Sequence, residues 1–278
     1  MDPGRADHTT QPHVIDPAIG LLGCPVCTQP LRRAGRSLLC GSGHSFDLAR
    51  QGHVNLLRAA APSNADTTAM VGARERFLAS GAYQPLRSAV AAACEGATSV
   101  TEVGAGTGYY LAEVVARHQP ARHLALDISV AAARRSARHG LASAVADTWA
   151  GLPVLDASLD RVLCVFAPRN PAEFARTLRP GGRVVVATPT SEHLADLRAQ
   201  LNLLDVPTDK QDRLDEAMAG AGLHLSARSW CAFTVALDPQ TAADLIAMGP
   251  NAFHRGPPVF TSAITVQVST AISSYHVV

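Results

Sequence analysis

Four residues near the start of the chain have the types and spacing of metal ligands. Cys24 and Cys27 are followed by Cys40 and His44, in the pattern Cys-x2-Cys-x12-Cys-x3-His. Three thiolates and an imidazole match tetrahedral zinc, and four protein ligands leave no open position for a substrate. The pattern therefore predicts a structural zinc site. Chance cysteines and a redox Cys-x-x-Cys motif are the alternatives, but a redox motif should open a helix and this one is not followed by a helical pattern.

The segment between the two ligand pairs predicts how they meet. Residues 31–39, with Gly35 at the turn, have the pattern of a hairpin that returns Cys40 and His44 to the first pair. So small a module needs metal binding for much of its folding free energy. We expect residues 21–58 to form the zinc module. Five arginines with only one acid suit contacts with RNA phosphates, but composition alone does not separate an RNA-facing surface from packing of the module on its neighbour. These arginines are Arg32, Arg33, Arg36, Arg50 and Arg58.

A second set of candidate residues surrounds a glycine-rich run. Residues 98–103 have β-type composition, Glu102-Val-Gly-Ala-Gly-Thr-Gly108 ends this run, and residues 109–117 have helical spacing. Strand, glycine loop and helix are the first half of a Rossmann-like unit. A dinucleotide site would need a third glycine where Tyr109 stands. The acidic-x-Gly-x-Gly-x-Gly form favours S-adenosylmethionine, with Gly104, Gly106 and Gly108 at the cofactor and Glu102 near its ammonium.

Two further acids follow the next predicted strands. Asp127 ends residues 123–126, and Asp147 ends residues 144–146. Acids at the carboxyl ends of successive strands line the crevice where open α/β sheets bind ligands. We expect Asp127 to bind the ribose and Asp147 to accept a hydrogen bond from the adenine amino group. Each acid alone could instead be a turn residue or a helix cap.

The remaining elements must hold these residues in place. Residues 159–165 predict a fourth strand that leads into Phe166-Ala-Pro168-Arg169, and residues 183–187 predict a fifth. Residues 223–237 and 259–272 have the composition of an antiparallel edge pair. Together these patterns predict an α/β fold, a class I methyltransferase domain with a Rossmann-like seven-stranded sheet. We place that domain at residues 96–278, after connecting helices at 59–95.

Length, charge and composition limit the functions that the chain could have. Its 278 residues can form one α/β domain and a small module, and 47% hydrophobic content is ordinary for a globular protein. A net charge of +1 does not by itself indicate a nucleic-acid partner. No apolar run approaches a membrane span, and the polar start has no signal core, so we expect a cytoplasmic protein without a membrane partner. The polar composition of residues 1–20 predicts a disordered lead, that is, an N-terminal segment without fixed structure.

Along almost its whole length the chain resembles the 23S rRNA (guanine-N1)-methyltransferases, in which a zinc ribbon is fused to a class I methyltransferase domain. The zinc segment joined to a DTT…Y segment is the most specific part of the resemblance, and VFAPRNP is most similar to the Gram-positive branch that confers resistance to tylosin- or mycinamicin-type macrolides. Glu102 departs from the aspartate that relatives often carry. The matching stretches are CPVC…C…GHSFDLARQGHVNLL (24–57), DTTAMVGARERFLASGAYQPL (66–86), EVGAGTGYY (102–110), VFAPRNPAE (165–173), LRPGGRVVVATP (178–189) and AMGPNAFH (247–254).

The resemblance implies roles for several of these residues. It implies zinc on the four ligands above, and cofactor contacts from Tyr83, Gly106, Thr107 and His193. It also implies methyl transfer from S-adenosylmethionine to N1 of a guanine in a 23S rRNA hairpin by an enzyme that could be a homodimer.

For that reaction we expect Phe166 and Pro168 to stack on and shape the pocket of the base, and Arg169 to stabilise charge on O6. Two alternatives stay open. One is a small-molecule methyltransferase of an antibiotic pathway, and the other is a non-catalytic, zinc-dependent RNA-binding protein.

Overall fold

A small antiparallel sheet carries the predicted metal ligands. The structure, a computed structural model, describes residues 11–60, 65–253 and 258–277. Residues Arg32–Ala34 (β1), Ser37–Leu39 (β2) and Ser45–Asp47 (β3) pair in the order β1-β2-β3. The turn between β1 and β2 contains Gly35 at φ +62°, a left-handed conformation that glycine adopts without strain. The hairpin predicted between the ligand pairs is thus confirmed.

The second sheet has eight strands in the described residues, in the order β10-β11-β9-β8-β5-β6-β7-β4. Strands β4 to β9 run parallel, and β10 and β11 add an antiparallel edge, as the sequence predicts. The strands are β4 (Val54–Asn55), β5 (Ser99–Val103), β6 (Arg122–Asp127), β7 (Ser143–Val145), β8 (Leu159–Val165), β9 (Leu178–Pro189), β10 (Leu223–Leu237) and β11 (Ile264–Val277).

Residues 96–278 supply the seven strands expected of the large sheet, β5 to β11, and one further strand is added to them. The additional strand, β4, lies within the predicted zinc module and pairs in parallel with β7 through Val54–Ala144 and Asn55–Val145. Two residues are too few to show a periodicity, and the partner strand is far along the chain. A further bridge joins Leu22 to Val154. The zinc module is therefore hydrogen-bonded into the large sheet through β4, and to the loop before β8 through the isolated bridge at Leu22.

The strand order reverses beside β5. Strands β6 and β7 extend the sheet on one side of β5, whereas β8 and β9 lie on its other side. In a parallel α/β sheet such a switch point leaves a crevice outside the carboxyl ends of the strands, where ligands bind. The acids predicted from the sequence follow the strands that meet at this edge.

Helices α1 (Thr68–Ala79) and α2 (Gln84–Ala93) form the predicted connection between the zinc module and β5. The Thr67 hydroxyl accepts a hydrogen bond from the backbone N–H of Met70 at 3.2 Å, so Thr67 caps α1. In the described part of the chain, no helix has both the length and the apolar character needed to span a bilayer. The other helices are α3 (Tyr109–His118), α4 (Val130–Arg138), α5 (Pro171–Thr177), α6 (Ala195–Leu201), α7 (Lys210–Ala219) and α8 (Pro239–Ala247).

Two hydrophobic cores cover the two faces of the large sheet. Leu124 and Leu126 of β6 point into the core shared with the zinc module, α5 and α7, whereas Ala125 points into the core shared with α2 and α3. This alternation follows from the two-residue period of a strand. The zinc module thus shares its hydrophobic core with the large sheet.

The predicted disordered lead at residues 1–20 is wrong for its second half, whereas residues 1–10 lie outside the described residues. Asp16–Ala18 form a 3-10 turn, and Ile15 and Ala18 are fully buried. The Asp16 carboxylate accepts a 2.5 Å ion-paired hydrogen bond from Arg33 in β1. A few apolar side chains in a polar segment, with an ion pair to a distant strand, fix this stretch in place. Neither contact is visible in local composition.

Candidate functional site

A cavity of about 710 Å³ opens outside the carboxyl ends of β5, β6, β7 and β8. Its volume is within the range of small-molecule and cofactor sites. The cavity brings together predicted residues from segments far apart in the sequence. Those that line it are Tyr83, Glu102, Gly104, Gly106, Asp127, Asp147, Phe166 and Pro168.

The three glycines of the loop after β5 are each required for a different reason. All have positive φ, +69° at Gly104, +55° at Gly106 and +79° at Gly108. A Cβ on Gly104 would lie 2.3 Å from the Cβ of Ala167, and one on Gly108 would lie 2.4 Å from Leu141. Gly104 and Gly106 line the cavity, whereas Gly108 lets α3 pack closely on its neighbours.

Thr107 and Gly108 lie behind the wall of the cavity. Thr107 is buried, and its carbonyl accepts a hydrogen bond from the ring Nδ1 of His139 at 3.2 Å. Gly108 is the N-cap residue of α3. In this arrangement both residues shape the loop, and their direct contact with a cofactor stays a prediction.

Glu102 joins the glycine loop to the first turn of α3. Its carboxylate is 1% exposed and accepts a 3.0 Å hydrogen bond from the backbone N–H of Leu111. Burial, reinforced by the nearby charge of Asp127, raises the pKa of Glu102 to about 8. A cation in the cavity would favour the ionised form of this carboxyl. The position therefore suits the ammonium contact expected from the sequence.

Asp127 holds two backbone amides at the end of β6. One carboxylate oxygen accepts from Gly106 N–H and the other from Ser129 N–H, each at 2.8 Å. Burial raises the pKa of Asp127, and the two amides oppose that shift because they stabilise the charged form. These bonds fix the orientation of the carboxylate beside the cavity before any ligand arrives.

Asp147 stands at the end of β7, next to a side chain that sequence reasoning missed. Its carboxylate accepts a 2.9 Å hydrogen bond from the backbone N–H of Trp149. The Trp149 side chain is 67% exposed and lines the same cavity. An exposed indole beside a planar ligand site offers a stacking surface. The only sequence signal for it is its place two residues after Asp147.

Tyr83 and His193 form a buried pair on the other side of the cavity. The ring Nδ1 of His193 accepts from Ser269 N–H at 3.3 Å, and its Nε2 lies 3.4 Å from the Tyr83 hydroxyl oxygen. A backbone N–H can only donate, so the neutral ring carries its proton on Nε2 and donates it to Tyr83. Burial lowers the pKa of His193 to about 4. His193 thus supports Tyr83, and Tyr83 faces the cavity.

Phe166 has an unusual backbone conformation at the end of β8. Its φ is +51°, a left-handed value that costs a bulky residue roughly 1–2 kcal/mol. The ring is 40% exposed and lies 6.5 Å from the Tyr83 ring and 5.6 Å from the His193 ring, measured between centroids. The backbone is held by a 3.0 Å hydrogen bond from Phe166 N–H to Ala187. Strain at such a position is typical of binding and catalytic sites.

The structure separates Arg169 from the other predicted catalytic residues. Pro168 lines the cofactor cavity, but Arg169 lines a neighbouring cleft together with Lys210 and Arg213. Pro171 opens α5 two residues later and lines the same cleft as Arg169. The structure thus places Arg169 outside this cavity, which does not support the expected contact with O6 of a base bound there.

Arg74 lines the cavity and was missed in the sequence. Its guanidinium pairs with the Asp66 carboxylate and donates a 2.7 Å hydrogen bond to the carbonyl of Met248. It also contacts the glycine loop, because a Cβ on Gly106 would lie 3.2 Å from Arg74. The segments that carry Asp66, Arg74 and Met248 were singled out as motifs, but nothing in their spacing indicates that they meet.

The residues around the cavity fit S-adenosylmethionine. Asp127 presents a fixed acceptor to ribose hydroxyls, and Asp147 presents one to an exocyclic amino group. The loop backbone at Gly106 faces the ligand space without a side chain. An adenosine moiety needs hydrogen-bond acceptors at these two places. S-adenosylmethionine carries no phosphate, so the helix start beside it does not have to bind one.

The four predicted metal ligands converge. Their ligand atoms all lie within 4.8 Å of one another. The sulfurs of Cys27 and Cys40 are 3.6 Å apart, and the His44 Nδ1 is 3.3 Å from Cys40 and 3.6 Å from Cys24. Tetrahedral zinc needs about 3.8 Å between sulfurs and about 3.6 Å between sulfur and nitrogen. The cluster fits a structural zinc ion with His44 bound through Nδ1.

Not all arginines of the zinc module face solvent. Arg33 is 11% exposed at its side chain and pairs with Asp16, and it donates to the Gln11 carbonyl at 3.0 Å. Its expected role in contacting RNA is therefore wrong, since it ties the N-terminal segment to β1. The exposed arginines of the module are Arg32, Arg36, Arg50 and Arg58.

Two protein families match the chain. Residues 22–61 match a zinc-ribbon family described as RlmA, N-terminal, and residues 100–182 match a family described as methyltransferase domain. The two matches cover the metal cluster and the strands that carry the glycine loop and the acids. Both parts of the predicted architecture are confirmed.

Relatives also match along most of the chain. The 23S rRNA (guanine(748)-N(1))-methyltransferase of Streptomyces fradiae is 46% identical over an alignment of 246 residues, and the match covers 85% of this chain and 87% of that protein. The putative 23S rRNA (guanine-N(1)-)-methyltransferase of Micromonospora griseorubida is 42% identical over an alignment of 267 residues, and the match covers 87% of this chain and 90% of that protein.

Among solved structures, the complex between the Haloferax volcanii Trm112 methyltransferase activator and the putative methyltransferase contains a similar fold. The match has a TM-score of 0.54 at 19% identity and covers 76% of this chain and 97% of that chain. At this identity the likeness concerns the fold alone.

Proposed function

Because the chain belongs to the 23S rRNA (guanine-N1)-methyltransferase family, we propose that it transfers a methyl group from S-adenosylmethionine to N1 of one guanine in a 23S rRNA hairpin. The observation that carries the proposal is the cavity itself. It joins a fixed adenosine-binding edge, Asp127 and Asp147, to an exposed ring, Phe166, at the end of β8. A planar substrate stacked on that ring would face the end of the cofactor at the glycine loop.

Bound S-adenosylmethionine supplies an activated methyl group, so the protein must mainly orient the two reactants. Asp127 and Asp147 hold the adenosine end, and Glu102 neutralises the ammonium. Phe166 and Pro168 form the wall on which the target base stacks after leaving its helix. The rigid backbone at Phe166 keeps that wall at one angle to the cavity.

The N1 proton of guanine has to leave during the reaction. His193 is unsuited to accept it, because its Nε2 already carries a proton that it donates to Tyr83. We propose that this pair positions the aromatic wall instead. Arg169 contacts the RNA outside the cavity, rather than O6 of the target base.

The zinc module supplies a second contact with RNA. The exposed Arg32 and Arg36 belong to it, and four-ligand zinc would hold its shape. A ribosomal substrate also makes the cytoplasm the place of action. The enzyme acts as a homodimer in this proposal, which light scattering of the purified protein can test.

Methylation of N1 adds bulk to one base edge in the hairpin. If that edge lines a macrolide site on the ribosome, the added methyl group excludes the drug by steric overlap. We therefore propose that the modification confers macrolide resistance. Expression in a susceptible host should raise the inhibitory concentration of tylosin-type macrolides, and an unchanged concentration would contradict this part of the proposal.

A direct test uses labelled S-adenosylmethionine with three substrates: bare 23S rRNA, the isolated hairpin and a macrolide. We expect label in both RNAs and none in the drug. Label in the macrolide alone would show the small-molecule enzyme that shares this cofactor fold. Cofactor binding without transfer to any substrate would show a non-catalytic RNA-binding protein.

A further inference from the structure

A second opening, a cleft of about 360 Å³, lies beside the cofactor cavity at the same edge of the sheet. One wall is the segment after Phe166, which contains Arg169 and Pro171, and the other is the start of α7. The side chains of Arg169, Lys210 and Arg213 line it, and no acid is among the described residues that do. Pro168, the neighbour of Arg169, lines the cofactor cavity. The two openings are therefore adjacent along one loop.

The position of α7 is fixed relative to the sheet. The Thr188 hydroxyl near the end of β9 donates a 3.1 Å hydrogen bond to the side-chain carbonyl of Gln211 in the first turn of α7. Leu214 and Met218 of the same helix are buried in the core below. The cleft wall therefore rests on a packed helix.

Two of the cations in the cleft have no partner among the described residues. In the described ranges, neither Arg169 nor Lys210 makes a side-chain hydrogen bond or ion pair, whereas Arg213 pairs with Asp209 at 2.7 Å. Lys210 is half-buried and is the only lysine in the sequence. Burial and the charge of Arg169 lower the pKa of Lys210, so the two cations disfavour each other in the free protein. An anion between them would relieve that repulsion.

The backbone of α7 adds to the attraction for an anion. Lys210 is the first residue of this ten-residue helix, and the N-cap residue Asp209 makes no side-chain capping hydrogen bond. The N–H groups of the first turn point toward the helix start and carry a partial positive charge. Together with the two cations that lack a partner in the described residues, this helix start attracts an anion, and the acids Asp209 and Asp212 at the same helix end offset part of that attraction.

We propose that this cleft binds a phosphodiester group of the RNA next to the target guanine, with Arg169 and Lys210 as its ligands. The inference rests on the proposed function and adds a contact outside the zinc module. The nucleotide whose base stacks on Phe166 is joined to its neighbours in the RNA by phosphodiester groups, and these groups must lie close to Phe166. Arg169 is three residues from Phe166, so the cleft lies where such a phosphate would be.

The test is a salt titration of RNA binding by the full-length protein with the 23S rRNA hairpin. Lys210→Gln should weaken binding about tenfold at low salt. It should also flatten the plot of log affinity against log salt by roughly 0.7, the loss of one phosphate contact to a single strand. Lys210→Arg should restore most of the affinity and most of the salt dependence. Affinity for S-adenosylhomocysteine, measured by calorimetry, should stay at the wild-type value in both variants and would reveal misfolding.

The matched control is Arg117→Gln. Arg117 is an exposed arginine in the last turn of α3, which is at the amino end of the strands and away from the cleft. It should leave RNA affinity and salt slope unchanged. If Lys210→Gln behaves like this control while the wild type binds the hairpin, the cleft assignment is wrong and the proposed function stands. If the wild type itself neither binds nor methylates the hairpin, the proposed function fails with it.

Potassium phosphate and potassium chloride at equal ionic strength separate the two sources of phosphate. We expect inorganic phosphate to compete with the RNA no better than chloride does. If inorganic phosphate binds the wild type and not Lys210→Gln, yet leaves the affinity for the hairpin unchanged, the cleft binds free phosphate and the assignment to RNA is overturned.

Discussion

A single carboxylate, Asp127, holds the glycine loop and faces the cofactor cavity. Asp127→Ala should weaken the binding of S-adenosylmethionine about 10- to 100-fold, because a charged acceptor is lost and the Gly106 N–H loses its partner. Calorimetry with the purified protein measures this. Asp196→Ala, at an exposed acid in α6, is the control and should bind normally. Full affinity in Asp127→Ala would remove the ribose assignment.

Gly104 combines a positive φ with a close contact, and the two effects can be separated. Gly104→Ala should destabilise the protein by about 2–4 kcal/mol, from a strained backbone and from overlap with Ala167. Gly181→Ala is the control, since Gly181 also has positive φ but nothing lies within 4 Å of its added Cβ. It should cost only about 1 kcal/mol. Urea unfolding measures the loss of stability in both variants. Equal losses would show that overlap with Ala167 contributes nothing at Gly104.

Glu102 should make the stability of the free protein depend on pH. Its pKa rises from 4.5 unfolded to about 8 in the fold, so the folded state keeps a proton that the unfolded state loses between these values. Stability should fall by up to about 1.4 kcal/mol per pH unit from this group as pH rises from 4.5 to 8. Glu102→Gln should lack that fall and still accept from Leu111. If the free energies of unfolding of the wild type and of Glu102→Gln changed with pH in parallel over this range, the pKa assigned to Glu102 would be contradicted.

At the scale of elements, the end of β8 presents the ring of Phe166 to the substrate. Phe166→Ala should lower kcat/KM for the hairpin about 10- to 100-fold, the value of one base stacked on an aromatic ring. Phe166→Tyr keeps the ring and should retain most activity. Steady-state methylation measures both. Normal kcat/KM in Phe166→Ala would show that the base does not stack there.

Elements with long or regular patterns were predictable from the sequence. The bounds predicted for β8 and β10 match the structure, because seven and fifteen β-type residues are long enough to be distinguished from a turn or a helix. The two-residue strand β4 was not predictable, since only its pairing with β7 defines it. The later bounds of β11, Ile264–Val277 rather than 259–272, likewise follow from pairing with β9 and β10.

The site was predictable where residue type and strand position coincide. Glu102, Asp127 and Asp147 end successive strands, and the structure brings them to one cavity. The direction of a loop is not encoded in such a pattern, and so the position of Arg169 in the neighbouring cleft was not predictable. Contacts between distant segments, such as Arg33 with Asp16 and Arg74 with Met248, depend on packing that spacing does not reveal.

At the scale of the whole molecule, the zinc module and the large sheet share one hydrophobic core. Cys27→Ser should lose bound zinc, which stabilises small zinc modules by on the order of 10 kcal/mol. Because the module packs on the sheet, calorimetry should show a single transition moved to lower temperature. Cys231→Ser, at a partly buried cysteine of β10, should keep one zinc per chain. A second transition unaffected by zinc loss would mean that the two parts unfold independently.

The most direct measurement of the central claim is reverse transcription across the hairpin after incubation with the enzyme and S-adenosylmethionine. A methyl group on N1 blocks the pairing edge of guanine, so the transcript should stop at one guanine, and only when both enzyme and methyl donor are present. Full-length transcripts, or stops that do not depend on the methyl donor, would contradict the assignment of this chain as an RNA N1-methyltransferase.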